Sequence, residues 1–298
     1  MIQARRDVLL ALGLFCASRA IWCDNAQADA PGDRDTASKT ALRFGLTPVI
    51  LDDRIAFLRL WANWLEQQLN RPVVFVQRSR YREIMDLLLR DRLDLAWICG
   101  YPYVQHQQAL SLIAVPKFQG QPLYQSYIIV ATESPFESLS DLQGRLFAWS
   151  DPDSNSGYLY PRFALMAQGH DPDHFFRRTF FTWGHRHCIE AVAAGLADGA
   201  AVDSYVWETL ALRNPELTQG TRIILRSPLF GFPPLVGAPG LADTDLQTIR
   251  RVLLAQEANQ TGNRLLGELS LDGFVAAQPS LFREIARMAE TVRPGSAP

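Results

Sequence analysis

Three polar clusters in this chain carry residue types that can hold or transform a small molecule. Ser154, Asn155, Ser156 and Gly157 stand together in "WSDPDSNSGYLYP", His185 opens "HRHCIEAV", and Asp203 closes "GAAVD". Each cluster lies between an apolar run and a helical pattern. First-turn N–H groups of a helix have no internal partner, and the dipole adds about half a positive charge there. Two hydroxyls, an amide and a glycine at such a place suit an anion. The competing reading is plain: Ser154 or Ser156 caps its own helix and nothing else. His185 can donate to an anion from one ring nitrogen. Asp203 ends a buried run, where an unpaired carboxylate is costly. An ionised carboxylate only accepts, so it fits an oxyanion that keeps a hydroxyl and rejects sulfate. Its plain reading is the cap of "SYVWETL".

Other chemistries fare worse. Ser154, His185 and Asp203 have the residue types of a hydrolytic triad, but "SNSG" is not a G-x-S-x-G elbow. The chain has no P-loop, no G-x-G-x-x-G and no H-E-x-x-H motif. His185 and His187 are two apart and cannot share a helix face, so "HRH" is a weak metal motif. The reading is a binding protein with no metal, no cofactor and no catalysis.

These residues need elements to position them. The pattern predicts a strand over 42–45, then a helix over 53–69 with apolar residues at Ile55, Leu58, Trp61 or Ala62, Leu65 and Leu69, capped by Asp52 or Asp53. "RPVVFV" is a strand, 81–90 a helix and "LDLAWI" a buried strand; "LSLIAVP" and "SYIIVAT" are further strands. A second series follows: strand "GRLFAWS", helix 157–168, strand "RTFFT", helix 185–196 and strand "GAAVDS". After the extended "RIILRSP" come helices over 243–254, 260–271 and 279–292. Repeated β/α units mean parallel sheets covered by helices, with ligands at the carboxyl ends of strands. The predicted fold is α/β in two lobes, each a mostly parallel sheet flanked by helices, with a cleft between them. Lobe one takes 42–129 and 230–292, lobe two 130–229, with crossings near 126–132 and 225–234.

The chain has 298 residues, 48% hydrophobic and 20% charged, with net charge −2, enough for one large domain or two smaller ones. Lys and Arg are scattered, so no nucleic-acid surface is indicated. The start, "MIQARRDVLLALGLFCASRA", has a basic head and an apolar run too short to span a bilayer, with "AQA" and "ADA" as cleavage sites. It reads as a signal peptide over 1–28, and Arg5–Arg6 resembles a twin-arginine signal. A disordered linker over 29–41 and a disordered tail over 293–298 complete the chain. Cys16 and Cys23 leave with the signal, so Cys99 and Cys188 remain to pair, to lie inert or to act as thiol ligands.

Several segments together resemble the phosphate/phosphite/phosphonate-binding proteins of ABC transporters, a periplasmic, two-lobed family of the type II binding-protein class. They are "FGLTP", "DLAWICGYPYV", "YQSYIIVATESPFESLSDLQGRLFAWSDPDSNSGYLYPRFAL", "GHRHCIEAVAAGLADGAAVDSYVWETL" and "ILRSPLFGFPPLV". The resemblance implies a periplasmic carrier that closes its lobes over a small tetrahedral oxyanion and delivers it to an inner-membrane ABC permease. The family's Ser-Thr-Ser loop falls on Ser154, Asn155 and Ser156, so Asn155 departs from the pattern. Its histidine falls on His185, its acceptor carboxylate on Asp203, and a lobe-one tyrosine on Tyr81. Cys99 and Tyr101, in "CGYPYV", flank the ligand. Aminophosphonate binders carry a carboxylate near the position of Tyr205, which argues against an aminophosphonate here. Some relatives sense arsenite through a cleft cysteine and signal to a membrane histidine kinase. The alternative is therefore an arsenite or oxyanion sensor using Cys99, with Cys188 inert or facing it across the cleft.

Overall fold

The computed structural model describes residues 41–49 and 54–292. The expected signal peptide, most of the linker, the tail and the candidate caps Asp52 and Asp53 lie outside the described residues. In chain order the elements are β1 (Leu42–Leu46), α1 (Ile55–Leu69), β2 (Val73–Gln77), α2 (Tyr81–Leu89), β3 (Leu95–Trp97), α3 (Gly100–His106), β4 (Ser111–Lys117), β5 (Leu123–Tyr124) and β6 (Ser126–Ala131). Then follow β7 (Leu146–Trp149), a π-helical turn (Asn155–Leu159), α4 (Tyr160–Ala167), β8 (Arg178–Phe181), α5 (His185–Ala193), β9 (Gly199–Asp203), α6 (Ser204–Arg213), α7 (Pro215–Thr218) and β10 (Thr221–Arg226). The chain returns through β11 (Phe230–Gly231) and β12 (Leu235–Gly237) to α8 (Asp243–Leu254), α9 (Gln260–Glu268), β13 (Gly273–Val275) and α10 (Arg283–Val292).

Two sheets organise the molecule. Lobe one is six-stranded, in the order β13-β4-β12-β3-β1-β2; lobe two is five-stranded, in the order β10-β6-β9-β7-β8. The central strands β3, β1 and β2 pair in parallel, as do β9, β7 and β8. Where a mostly parallel sheet was expected, both sheets are mixed. Strands β12, β4 and β13 pair antiparallel in lobe one, and β10 and β6 do so in lobe two. The reason is connectivity: the strands that carry the chain between lobes arrive in opposite directions. Residues 126–129, expected in lobe one, pair with β9 and β10 and so belong to the lobe-two sheet. The crossings are residues 118–125 and 227–234, joined by the two-stranded ribbon β5–β11.

Periodicity explains the packing. Helix α1 buries Phe57, Leu58, Trp61, Trp64 and Leu65 on one stripe. Trp61, fully buried, meets Phe44, Phe57, Phe75 and Trp97 at ring-centroid distances of 5.1–6.4 Å. Burying one such side chain contributes about 1.5–3 kcal/mol. Lobe two packs one apolar cluster on each face of its sheet, Ile129, Ile189 and Val202 on one side and Ile128, Phe147 and Leu165 on the other. Helix α3 begins where no helix was anticipated, and α6 is the helix that the cap reading of Asp203 implied. Both start at the carboxyl end of a buried strand, and Asp203 caps α6 through its side chain.

Candidate functional site

The parallel strands of lobe two end on one edge. Trp149 of β7 is level with Phe181 of β8, and Ala148 with Ala200 of β9. The loops after all three strands therefore meet at one place, and each leads into a helical N-terminus. Ser154 caps the π-helical turn by accepting the Gly157 N–H at 2.9 Å. Gly157 is required there: a Cβ would stand 1.8 Å from Ser150 Oγ and 3.0 Å from His185 Cε1. Serine, asparagine and glycine thus make the wide first turn that was anticipated as an ordinary helix start at 157.

Ser154, Asn155, Ser156, His185 and Asp203 are all at most 3% exposed. His185 Nδ1 receives the Asp203 backbone N–H at 3.1 Å, and its Nε2 lies 3.5 Å from Ser154 Oγ. An N–H can only donate, so Nδ1 is the acceptor and Nε2 carries the ring proton. Burial pushes the imidazole down to about 3, which keeps it neutral. His185 is therefore a neutral donor at the loop. It does not bridge Ser154 to the Asp203 carboxylate, as a hydrolytic triad would need. Asp203 Oδ1 instead accepts the Tyr205 N–H at 2.8 Å, the plain cap reading of the sequence, and burial raises its carboxyl to about 7. Exposed His187 meets the Thr182 carbonyl, away from this cluster. Among the described residues no group of three or more metal-ligating side chains could hold an ion.

Lobe one reaches the same loop. The Asn155 N–H points at Cys99 Sγ at 3.2 Å, and the Tyr81 N–H donates to Asp151 Oδ2 at 3.1 Å. Tyr81 is buried, and Tyr101 is half-buried, with its backbone N–H also on Cys99. Of the residues singled out in the sequence, Ser154, Asn155, Ser156, Gly157, His185, Asp203 and Cys99 form one chain of contacts. Tyr81 and Tyr101 join it through their backbones. Further from the loop, the Tyr205 hydroxyl donates to the Leu269 carbonyl at 2.6 Å, and Arg213 reaches Ser270 at 3.0 Å. Arg80 stacks on the Trp183 ring at 4.3 Å. All of these join lobe two to lobe one, so the cleft is shut.

Four participants escaped the sequence reading. The Tyr124 hydroxyl, on the ribbon, accepts from Asn155 Nδ2 at 2.9 Å. Ser126 Oγ donates to the Ser156 carbonyl at 2.6 Å, and Asp151 takes the Tyr81 N–H. Ser150 Oγ and Asn155 Oδ1 are buried with no hydrogen-bond partner in the protein, and the Ser156 side chain meets the Tyr124 hydroxyl. A polar residue opening an apolar strand, as Ser126 does in "QSYIIVA", was the available signal. Cys188 lies elsewhere, in the lobe-two core with its sulfur 3.1 Å from Thr182 Oγ1, and does not face Cys99. Both cysteines are unpaired, and burial raises their thiols to about 11 for Cys99 and about 12 for Cys188.

Comparison with known proteins gives the chain its family and its fold. A phosphate-import protein PhnD of Mycolicibacterium smegmatis is 33% identical over 159 residues, 49% of this chain and 50% of the relative. The phosphonates-binding periplasmic protein of Escherichia coli K12 is 28% identical over 187 residues, 60% of this chain and 55% of that one. The chain thus matches about half the length of these relatives. Among solved structures, the binding component of an ABC phosphonate transporter from Pseudomonas aeruginosa superposes with a TM-score of 0.78 at 24% identity, covering 84% of this chain and 86% of that one. PhnD1 of Prochlorococcus marinus, solved with methylphosphonate, gives 0.74 at 20% identity over 85% and 98%. These two likenesses establish the fold, that of the two-lobed type II binding proteins. Residues 44–282 match the family described as the phosphonate ABC transporter periplasmic substrate-binding protein, and the chain belongs to that family.

Proposed function

We propose that this protein captures a small tetrahedral phosphorus oxyanion (phosphite, phosphate or a short phosphonate) in the periplasm and presents it to an ABC permease. The observation that carries the reading is Asn155 Oδ1, a buried polar atom with no protein partner at the meeting point of three strand ends. Buried polar groups are nearly always partnered, so atoms left over in a cleft point to a ligand. In this reading the hydroxyls of Ser154 and Ser156 hold the anion with Nε2 of His185. Asp203 backs the site as the cap of α6, and Tyr81, Cys99 and Tyr101 close it in from lobe one. The cluster has no cationic side chain and one carboxyl raised to about 7, which suits a ligand of low charge that carries its own proton.

Tyr205 supports excluding an aminophosphonate. Its hydroxyl is spent on Leu269, and its ring stands with Trp97, Phe232 and Leu46 around an apolar cavity of about 20 Å³ with no carboxylate for an amine. The arsenite alternative is disfavoured by the thiol itself. Thiophilic ions bind thiolate, and burial raises the Cys99 thiol to about 11, although its freedom from Cys188 meets the one pairing condition that the alternative sets. Calorimetric titration with phosphite, phosphate, methylphosphonate and arsenite tests the reading. At least one phosphorus ligand should bind, and Cys99-dependent arsenite binding with no phosphorus response would reverse it.

A further inference from the structure

Asn155 stands where the resembling family carries threonine, and its surroundings give it a task that threonine would not have. The side chain is fully buried. Both kinds of N–H it owns are committed: the backbone N–H to Cys99 Sγ at 3.2 Å, and the amide Nδ2 to the Tyr124 hydroxyl at 2.9 Å. That bond orients the amide, with Nδ2 towards the Tyr124 hydroxyl. The oxygen Oδ1 is turned the other way and has no partner. The buried carboxylate of Asp203 spends Oδ1 on the first turn of α6. His185 offers Nε2–H, and Ser156 offers a hydroxyl that can donate. In this cluster the unpartnered atom that can do nothing but accept is Asn155 Oδ1.

We infer that Asn155 is a specificity-determining residue that selects ligands presenting a hydrogen-bond donor, the P–OH of a singly protonated phosphorus oxyanion, over isosteric anions that have none. The inference rests on the functional reading above and deepens it. A ligand hydroxyl satisfies Oδ1. A bare oxyanion oxygen in the same place faces another lone pair, and a buried acceptor stays unpaired, which is the kind of mismatch binding sites reject most strongly.

Methylphosphonate monoanion and methanesulfonate provide the test, since they share shape and charge and differ by that one proton. Both are titrated calorimetrically, at a pH where methylphosphonate keeps one proton, into the wild type, Asn155→Leu and Asn155→Thr. The wild type should prefer methylphosphonate at least a hundredfold. Asn155→Leu should cut the preference at least tenfold, by weakening methylphosphonate and strengthening methanesulfonate together. Asn155→Thr, whose hydroxyl can donate as well as accept, should strengthen methanesulfonate and so narrow the preference, and covers the case in which the leucine variant does not fold. A merely structural role would weaken both ligands alike. That result, or an unchanged preference in a folded variant, overturns the inference while leaving the functional reading standing. Wild-type protein that binds neither methylphosphonate, phosphite nor phosphate overturns both.

Discussion

The two walls of the cleft are built on opposite principles. The lobe-two wall is a loop of serines, an asparagine and a glycine whose hydroxyl and amide oxygens are left over after the fold has used what it needs. The lobe-one side meets that loop with the buried thiol of Cys99 and the backbone N–H of Tyr81. On the proposed function the contrast is a division of labour, with lobe two binding and lobe one covering. Substitutions in the first should act on affinity, and substitutions in the second on closure and stability.

The severest break in this division should come from Gly157→Ala. The added Cβ collides with Ser150 Oγ and crowds His185, so the turn must shift. Overpacking of this kind costs about 1–3 kcal/mol of stability. Because the same turn presents Ser154 and Ser156, affinity should fall at least a hundredfold, about 2.7 kcal/mol or more. Denaturant unfolding and calorimetry on one preparation check both effects. Ser156→Ala is more selective. It should weaken binding by about 1.5–3 kcal/mol, the worth of a hydrogen bond to a charged group. Stability of the free protein should fall by only about 0.5–1.5 kcal/mol, because Ser156 has a single contact, with the Tyr124 hydroxyl, to lose. A large stability loss with unchanged affinity would place Ser156 in the scaffold.

Acid titration sharpens the lobe-two side. Burial lowers His185 to about 3 from 6.5, so the unfolded chain binds more protons between those values and stability falls as pH drops through that window. Burial raises Asp203 to about 7 from 3.8, so the folded chain binds more protons and stability rises as pH drops from 7 to 3.8. The two oppose each other between about pH 4 and 6.5. Asp203→Asn removes one arm, and the variant should lose up to about 1.4 kcal/mol per pH unit more steeply than wild type in that window. Parallel pH profiles of the unfolding midpoint would refute the assignment. The smallest effect belongs to lobe one: Cys99→Ser should leave oxyanion affinity within about 1 kcal/mol, since no charge or required donor is lost. Cys188→Ser, in the lobe-two core, should lower the melting temperature and spare affinity.

Most of this architecture was legible in the chain. Alternation and 3.6-residue spacing revealed β1, α1, α2, β7 and α5, because each buries a single stripe or face. The strand directions were less legible: β6 reads as a generic apolar run, β12 lies in "FPPLVGAPG", a stretch rich in Pro and Gly, and only their partners make the sheets mixed. Ser154, His185 and Asp203 could be singled out because each sits between a strand pattern and a helix pattern. Tyr124 and Ser126 could not. Their sequence neighbours are those of any edge strand, and their importance comes from the ribbon folding back on the lobe-two loop. The use of the Asp203 carboxylate as a cap was readable only as one of two options, since a cap and a ligand acceptor have the same local sequence.

The contacts that shut the cleft have a consequence for timing. Asn155 on Cys99, Tyr81 on Asp151, Tyr205 on Leu269 and Arg80 on Trp183 are made between lobes, and none of them requires a ligand. A cargo entering the open cleft meets none of them, so they have little say in how fast it is caught. Each must be broken before the cargo can leave. On the proposed function, residence time is therefore set in part by contacts that are not made to the ligand at all, Tyr205 on Leu269 and Arg80 on Trp183 among them. A permease that pries apart the rim at Arg80 and Trp183 could empty the site without contesting a single hydrogen bond to the cargo.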